Sequence, residues 1–220
     1  MGRQGLTFIA AMLVGIALGL GGFAIYLALP ASRAHEFQRL EVEIGSVRLR
    51  LDRALARFDD QRRGGRLDRL DLAVLLPDFR PAGRLSDLGV PLNSSELSKK
   101  MVFLSLTLPE GNVDPADRFV KLYARFLSPD QSEGPAGLVK RQFESNTPFA
   151  DADLYLSPPE GRQFAARCQH RPVEGPLPDI CLWEFWRDGI AVHLRFSPAA
   201  LADWQGLKAR SEALVASLTH

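Results

Sequence analysis

The sequence predicts an α+β fold: one N-terminal transmembrane helix followed by a mainly antiparallel β-sheet domain with two packing helices. Three observations carry this expectation. Residues 6–29 contain no charged side chain. Residues 40–51 and 179–196 alternate apolar and polar around two-residue turns. Asp114-Pro115 and Ser197-Pro198 each open a run with helical apolar spacing.

The stretch 6–29 would be about 36 Å long as a helix, enough to cross a bilayer core of about 30 Å. Its length exceeds the roughly 7–15 apolar residues of a signal-peptide core, which favours a retained span over a cleaved one. Ala11, Gly15 and Gly19 recur every four residues, a spacing that lets a second helix approach closely. The expected order is a cytosolic head 1–5, the span 6–29, a juxtamembrane linker 30–39 and an exported domain 40–220. The lipid bilayer is thus one expected partner, and a membrane or envelope protein another. Arg3 is the only charge before residue 30, so the remainder balances 26 basic against 26 acidic residues. That balance gives no electrostatic case for a nucleic-acid partner. With 46% apolar and 24% charged residues, wholesale disorder is also excluded.

In "LEVEIGSVRLRL" (40–51), a turn at Gly45-Ser46 sets Ile44 against Val47, Val42 against Leu49 and Leu40 against Leu51. The other face pairs Glu43 with Arg48 and Glu41 with Arg50. A continuous stalk helix would leave Val42 and Leu49 off its seam. Residues 60–69 read as a charged loop and 70–77 as a strand ended by Pro77. Residues 78–100 read as a long connection and 101–109 as a strand. A helix is expected over 114–127, with Phe119, Leu122, Tyr123 and Phe126 on its apolar face. Residues 128–137 read as a loop. Strands follow near 138–143, 153–157 and 162–168, and "SPPEG" turns the chain after 157. Ser197 caps the last helix, 198–218.

"CQHRPVEGPLPDIC" (168–181) contains both cysteines. The Asp188-Gly189 turn sets Cys181, Trp183 and Phe185 on one face. If 162–168 pairs with the far edge of that strand, Cys168 meets Cys181 while Ala166 and Phe164 join the same apolar face. Two independent constraints agree on a Cys168–Cys181 disulfide, which implies an oxidising compartment such as the periplasm. Cys168, His170 and Cys181 lack the spacing of a zinc site, and no metal or cofactor is expected.

No catalytic motif is present, and no catalytic residue is assigned. The polar face of the 181–196 hairpin is the one constellation of interest: Glu184 opposite His193 and diagonal to Arg195, with Arg167 nearby and Trp186 alongside. Such a cluster suits an anion or small ligand, or is merely a set of cross-strand pairs satisfying one another. Eight arginines between 47 and 70 read as a solvated loop and hairpin face, or as contacts to anionic headgroups. The first functional expectation is a single-pass membrane-anchored envelope protein acting through protein–protein contacts. The second is an anion-binding module using Arg167, Glu184, Trp186, His193 and Arg195. The third is a hydrolase with a Glu184–His193 acid–base pair, which requires an open cleft on that face.

Overall fold

In the computed structural model, the described residues are 39–83, 95–170 and 179–219. The expected span 6–29, its Ala11, Gly15 and Gly19 stripe, and the linker up to residue 38 lie outside them. Among the described residues, no helix is long and apolar enough to cross a membrane.

The chain is mainly antiparallel β-sheet with a C-terminal helix. Strands β1 (Arg39–Ile44) and β2 (Val47–Asp52) form the expected hairpin, with Ile44 opposite Val47, Val42 opposite Leu49 and Leu40 opposite Leu51. Its charged face closes as read: Arg48 on Glu43 and Arg50 on Glu41. Within the expected loop 60–69, β3 (Gly65–Arg66) runs parallel to β1 and completes a three-stranded sheet. Gly64 makes this possible. Its φ is +72°, and a Cβ there would lie 2.5 Å from the Glu41 carbonyl oxygen. Gly64→Ala should therefore cost about 2 kcal/mol, measured by urea unfolding of the full chain.

The larger sheet has nine strands, each antiparallel to its neighbours. In chain order these are β4 (Arg69–Leu75), β5 (Arg80–Pro81), β6 (Met101–Thr107), β7 (Leu127–Glu133), β8 (Val139–Phe143), β9 (Ala152–Leu156), β10 (Ala165–Gln169), β11 (Ile180–Arg187) and β12 (Ile190–Phe196). They are arranged β5-β4-β6-β12-β11-β10-β9-β8-β7. Asp188 and Gly189 both have positive φ, as the two-residue turn between β11 and β12 requires.

One face of this sheet builds the main core. Leu72, Leu104, Leu194 and Trp183 lie opposite one another across four strands. The three leucines are fully buried, contributing about 1.5–3 kcal/mol each. Phe164 stacks against Trp183 and Trp204 in the same core. Cys168 and Cys181 are opposite each other and disulfide-bonded, both buried. The α-helices among the described residues are α1 (Ser95–Lys100) and α2 (Trp204–Leu218). α2 packs on β11 and β2, after a tight turn over Pro198–Asp203 that Ser197 caps through the Ala199 amide.

Three local expectations need correction. Residues 115–126 are not a regular α-helix. They form a 3₁₀ turn (Pro115–Asp117), a wide π turn (Phe119–Tyr123) and a second 3₁₀ turn (Ala124–Phe126). Aromatic packing decides this shape: Tyr123 meets Phe143 and Phe149 edge-on, and Phe126 meets Phe149. Next, the expected loop 128–137 contains most of β7. Its polar sequence, with Pro129, tolerates pairing because β7 is an edge strand with a register shift before Gln131. Finally, the connection 78–100 contains β5 and α1.

Candidate ligand-binding cleft

The second face of the nine-stranded sheet is covered at both ends and open between them. At one end, Leu127, Phe143, Ala152, Leu154 and Leu156 form a small core under the turns of 115–126. At the other, Ala73, Leu75, Ala82 and Met101 pack with Leu97 of α1. Between these clusters lies a cleft of about 620 Å³. Arg167, Trp186, His193 and Arg195 line it, and Arg69 and Arg118 join them.

The strand register arranges the face in three rows. The first runs Arg69, Thr107, Ala191, Trp186. The second runs Asp71, Ser105, His193, Glu184. The third runs Ala73, Phe103, Arg195, Leu182, Arg167. A one-residue slip would bury these groups in the core, so the apolar face that specifies the register also positions the polar one.

Glu184 is the hub of one network. His193 Nδ1 donates to Glu184 Oε1 at 2.6 Å, leaving Nε2 with no hydrogen bond among the described residues. The cation paired with Glu184 is Arg118, through Nη1 and Oε2. Arg167 and Arg195, the arginines expected near Glu184, are in the cleft but make no ion pair with it. Arg167 leans over the Phe149 ring, 5.4 Å from its centroid, and its Nε is buried without a partner. No carboxylate pairs with Arg195 among the described residues.

A second network occupies the β4 side. Asp71 is buried and accepts from Arg69 Nε at 2.9 Å and Ser105 Oγ at 2.6 Å, with Gln61 Nε2 at 3.3 Å. Ser105 thus donates its proton to Asp71 although His193 lies opposite it on β12. The open cleft meets the minimum need of the hydrolase reading, but the nearest hydroxyl is engaged elsewhere. Arg57 stacks on Phe103, 4.2 Å from the ring centroid. Burial lowers its pKa; Asp71 opposes the shift, and the charges of Arg195 and Arg69 add to it.

Burial is the strongest influence on Glu184 and opposes its ionisation. The His193 hydrogen bond and the Arg118 charge together outweigh it, holding the carboxyl below its ordinary range. Asp71 behaves alike: burial raises its pKa, and hydrogen bonds from Arg69, Ser105 and Gln61 more than reverse the effect. Both groups therefore contribute stability that is complete above the unfolded carboxylate range of about 4, and lost as pH falls through their lowered values. Stability of the full chain should fall as the pH drops below about 4, and Asp71→Asn should flatten that slope in urea titrations.

Arg118 and Asp71 were not among the expected site residues. A charged residue in the apolar strand "LDLAVL", two places from Arg69, was a usable signal for Asp71. Arg118 had none, because only the chain fold brings 115–126 over β11. The stretch 47–70 divides: Arg48, Arg50, Arg62, Arg66 and Arg69 are held by nearby acids, while Arg57 lies over the Phe103 ring. His170 bonds Asp153, which also accepts Lys140, away from this face.

No protein-family profile matches this chain, and no curated protein matches it. Among solved structures, it is similar to the crystal structure of the Neisseria meningitidis iron-regulated outer membrane lipoprotein FrpD. The TM-score is 0.51 at 8% identity, covering 83% of this chain and 93% of that one. The likeness is one of fold alone.

Proposed function

We propose that this is a membrane-anchored envelope protein whose folded domain binds an anionic ligand in the second-face cleft, through Arg167, His193 and Arg195. One observation carries the reading. Of the four arginines lining the cleft, Arg69 and Arg118 are balanced by Asp71 and Glu184, and Arg167 and Arg195 are balanced by neither. Two guanidiniums in a concave site, Arg167 half-buried and Arg195 exposed, suit a carboxylate, sulfate or phosphate, which takes charge-assisted hydrogen bonds from both. Three features support the location. Residues 6–29 are uncharged and long enough to span. A disulfide suits an oxidising compartment. The fold resembles that of a protein described as an outer membrane lipoprotein.

In thermal-shift measurements at constant ionic strength, sulfate, phosphate or citrate should stabilise the full-length protein. Arg195→Gln and Arg167→Gln should each reduce the shift. No shift with any of these anions would reject the reading. The protein-contact reading is second. Leu108, 44% exposed at the cleft wall, favours it. Purification from native membranes in gentle detergent should then yield a stoichiometric partner, and a clean monomer would count against it.

A further inference from the structure

The cleft offers more than an anion needs. In its first row, Thr107 and Ala191 form a floor of small side chains between Arg69 and Trp186. Four adjacent strands span roughly 14 Å at 4.7–4.9 Å per step. Ala191 opposite Trp186 cannot cover the indole, so the ring borders the cleft. The row beside it presents His193 Nε2, and the Thr107 hydroxyl has no hydrogen bond among the described residues. The third row, roughly 13 Å along the strands at about 3.3 Å per residue, presents Arg195 and Arg167 on either side of Leu182. The reach of an arginine side chain shortens that gap to one or two sugar units.

An inorganic oxyanion would use the arginines and leave Trp186 idle. A flat aromatic anion would use Trp186 and the arginines and leave Thr107 and His193 without partners. A sugar ring has an apolar C–H face for the indole and hydroxyls for Thr107 and His193. An acidic substituent supplies the charge.

We propose that the cleft takes an acidic sugar unit, carrying a carboxylate or sulfate, with its ring on Trp186 and its anionic group between Arg195 and Arg167. This rests on the anion-binding reading above, and names its ligand class.

The test is calorimetric titration of the full-length protein in a polyoxyethylene detergent, which has no sugar headgroup, at constant ionic strength. The probes are glucuronate, glucose 6-sulfate, glucose, sodium sulfate and benzoate. Glucuronate or glucose 6-sulfate should bind about tenfold tighter than sulfate or benzoate, and glucose more weakly than either acid sugar. Trp186→Ala should reduce the acid sugar to the affinity of sulfate and leave sulfate unchanged, with Trp186→Phe retaining part of the gain. Arg195→Gln should weaken both. If sulfate binds but neither acid sugar binds more tightly, the sugar assignment is overturned while anion binding stands. Benzoate binding as tightly as glucuronate, or full acid-sugar affinity in a folded Trp186→Ala variant, also overturns it. No binding by any anion overturns both.

Discussion

Replacing Cys168 and Cys181 together by alanine should lower unfolding free energy by about 3 kcal/mol, the chain-entropy value for a loop of about 15 residues. The native bond joins residues 13 apart in sequence on the adjacent strands β10 and β11, with both cysteines buried. The ladder aligns these strands whether or not the sulfurs are joined, so the effect falls mainly on the unfolded chain, whose loop opens. Urea unfolding of the full-length protein should show it as a lower midpoint. Reductant alone should leave the folded wild type unchanged, because the sulfurs are inaccessible, and should reproduce the double variant once urea admits it. A loss below about 1 kcal/mol would contradict the clamp and point to strong residual structure in the unfolded state.

The second large effect concerns Arg118. Arg118→Ala leaves the Glu184 carboxylate, whose side chain is 13% exposed, with His193 as its remaining partner. Removing one member of a fully buried pair costs about 3–5 kcal/mol. The Arg118 side chain is 27% exposed, which moves the expectation to about 2–3 kcal/mol. Adding Glu184→Gln removes the stranded charge, so the double variant should be more stable than the sum of the single losses predicts. A double-mutant cycle by urea unfolding measures that coupling. Strict additivity would mean the pair contributes nothing beyond its separate side chains.

The most legible parts of the fold were local. Gly45-Ser46 and Asp188-Gly189 are turns whose chemistry sets the pairing of their flanking strands, and both registers agree with the structure. The pairing of Cys168 with Cys181 was legible because sulfur geometry and apolar alternation gave the same alignment. The helical C-terminus was legible from Ser197-Pro198, but Ser197 caps only the 3₁₀ turn Pro198–Asp203, and α2 starts at Trp204 with Asp203 accepting from the Gly206 amide. What escaped depended on distant neighbours. β7 is polar and contains a proline, and it pairs because β8 offers an open edge. The turns over 115–126 follow an aromatic cluster drawn from three separate segments, not their own helical pattern. In the cleft, the Glu184–His193 pair followed from one hairpin. Arg69 and Asp71 required the sheet order, which sets β4 beside β6 and β6 beside β12, and Arg118 required the packing of 115–126 over β11.

The three tryptophans allow a direct test of anion binding on the second face. Trp183 and Trp204 are buried in the main core, and Trp186 borders the cleft. Indole ¹⁵N–¹H spectra of the full-length protein can be followed while glucuronate, the acid sugar whose ring is placed on Trp186, is titrated at constant ionic strength. Binding in the cleft predicts a saturable shift of the Trp186 signal, static Trp183 and Trp204 signals, and loss of the shift in the Arg167→Gln/Arg195→Gln double variant. A Trp186 signal that stays still, or one that moves equally in the double variant, would contradict it.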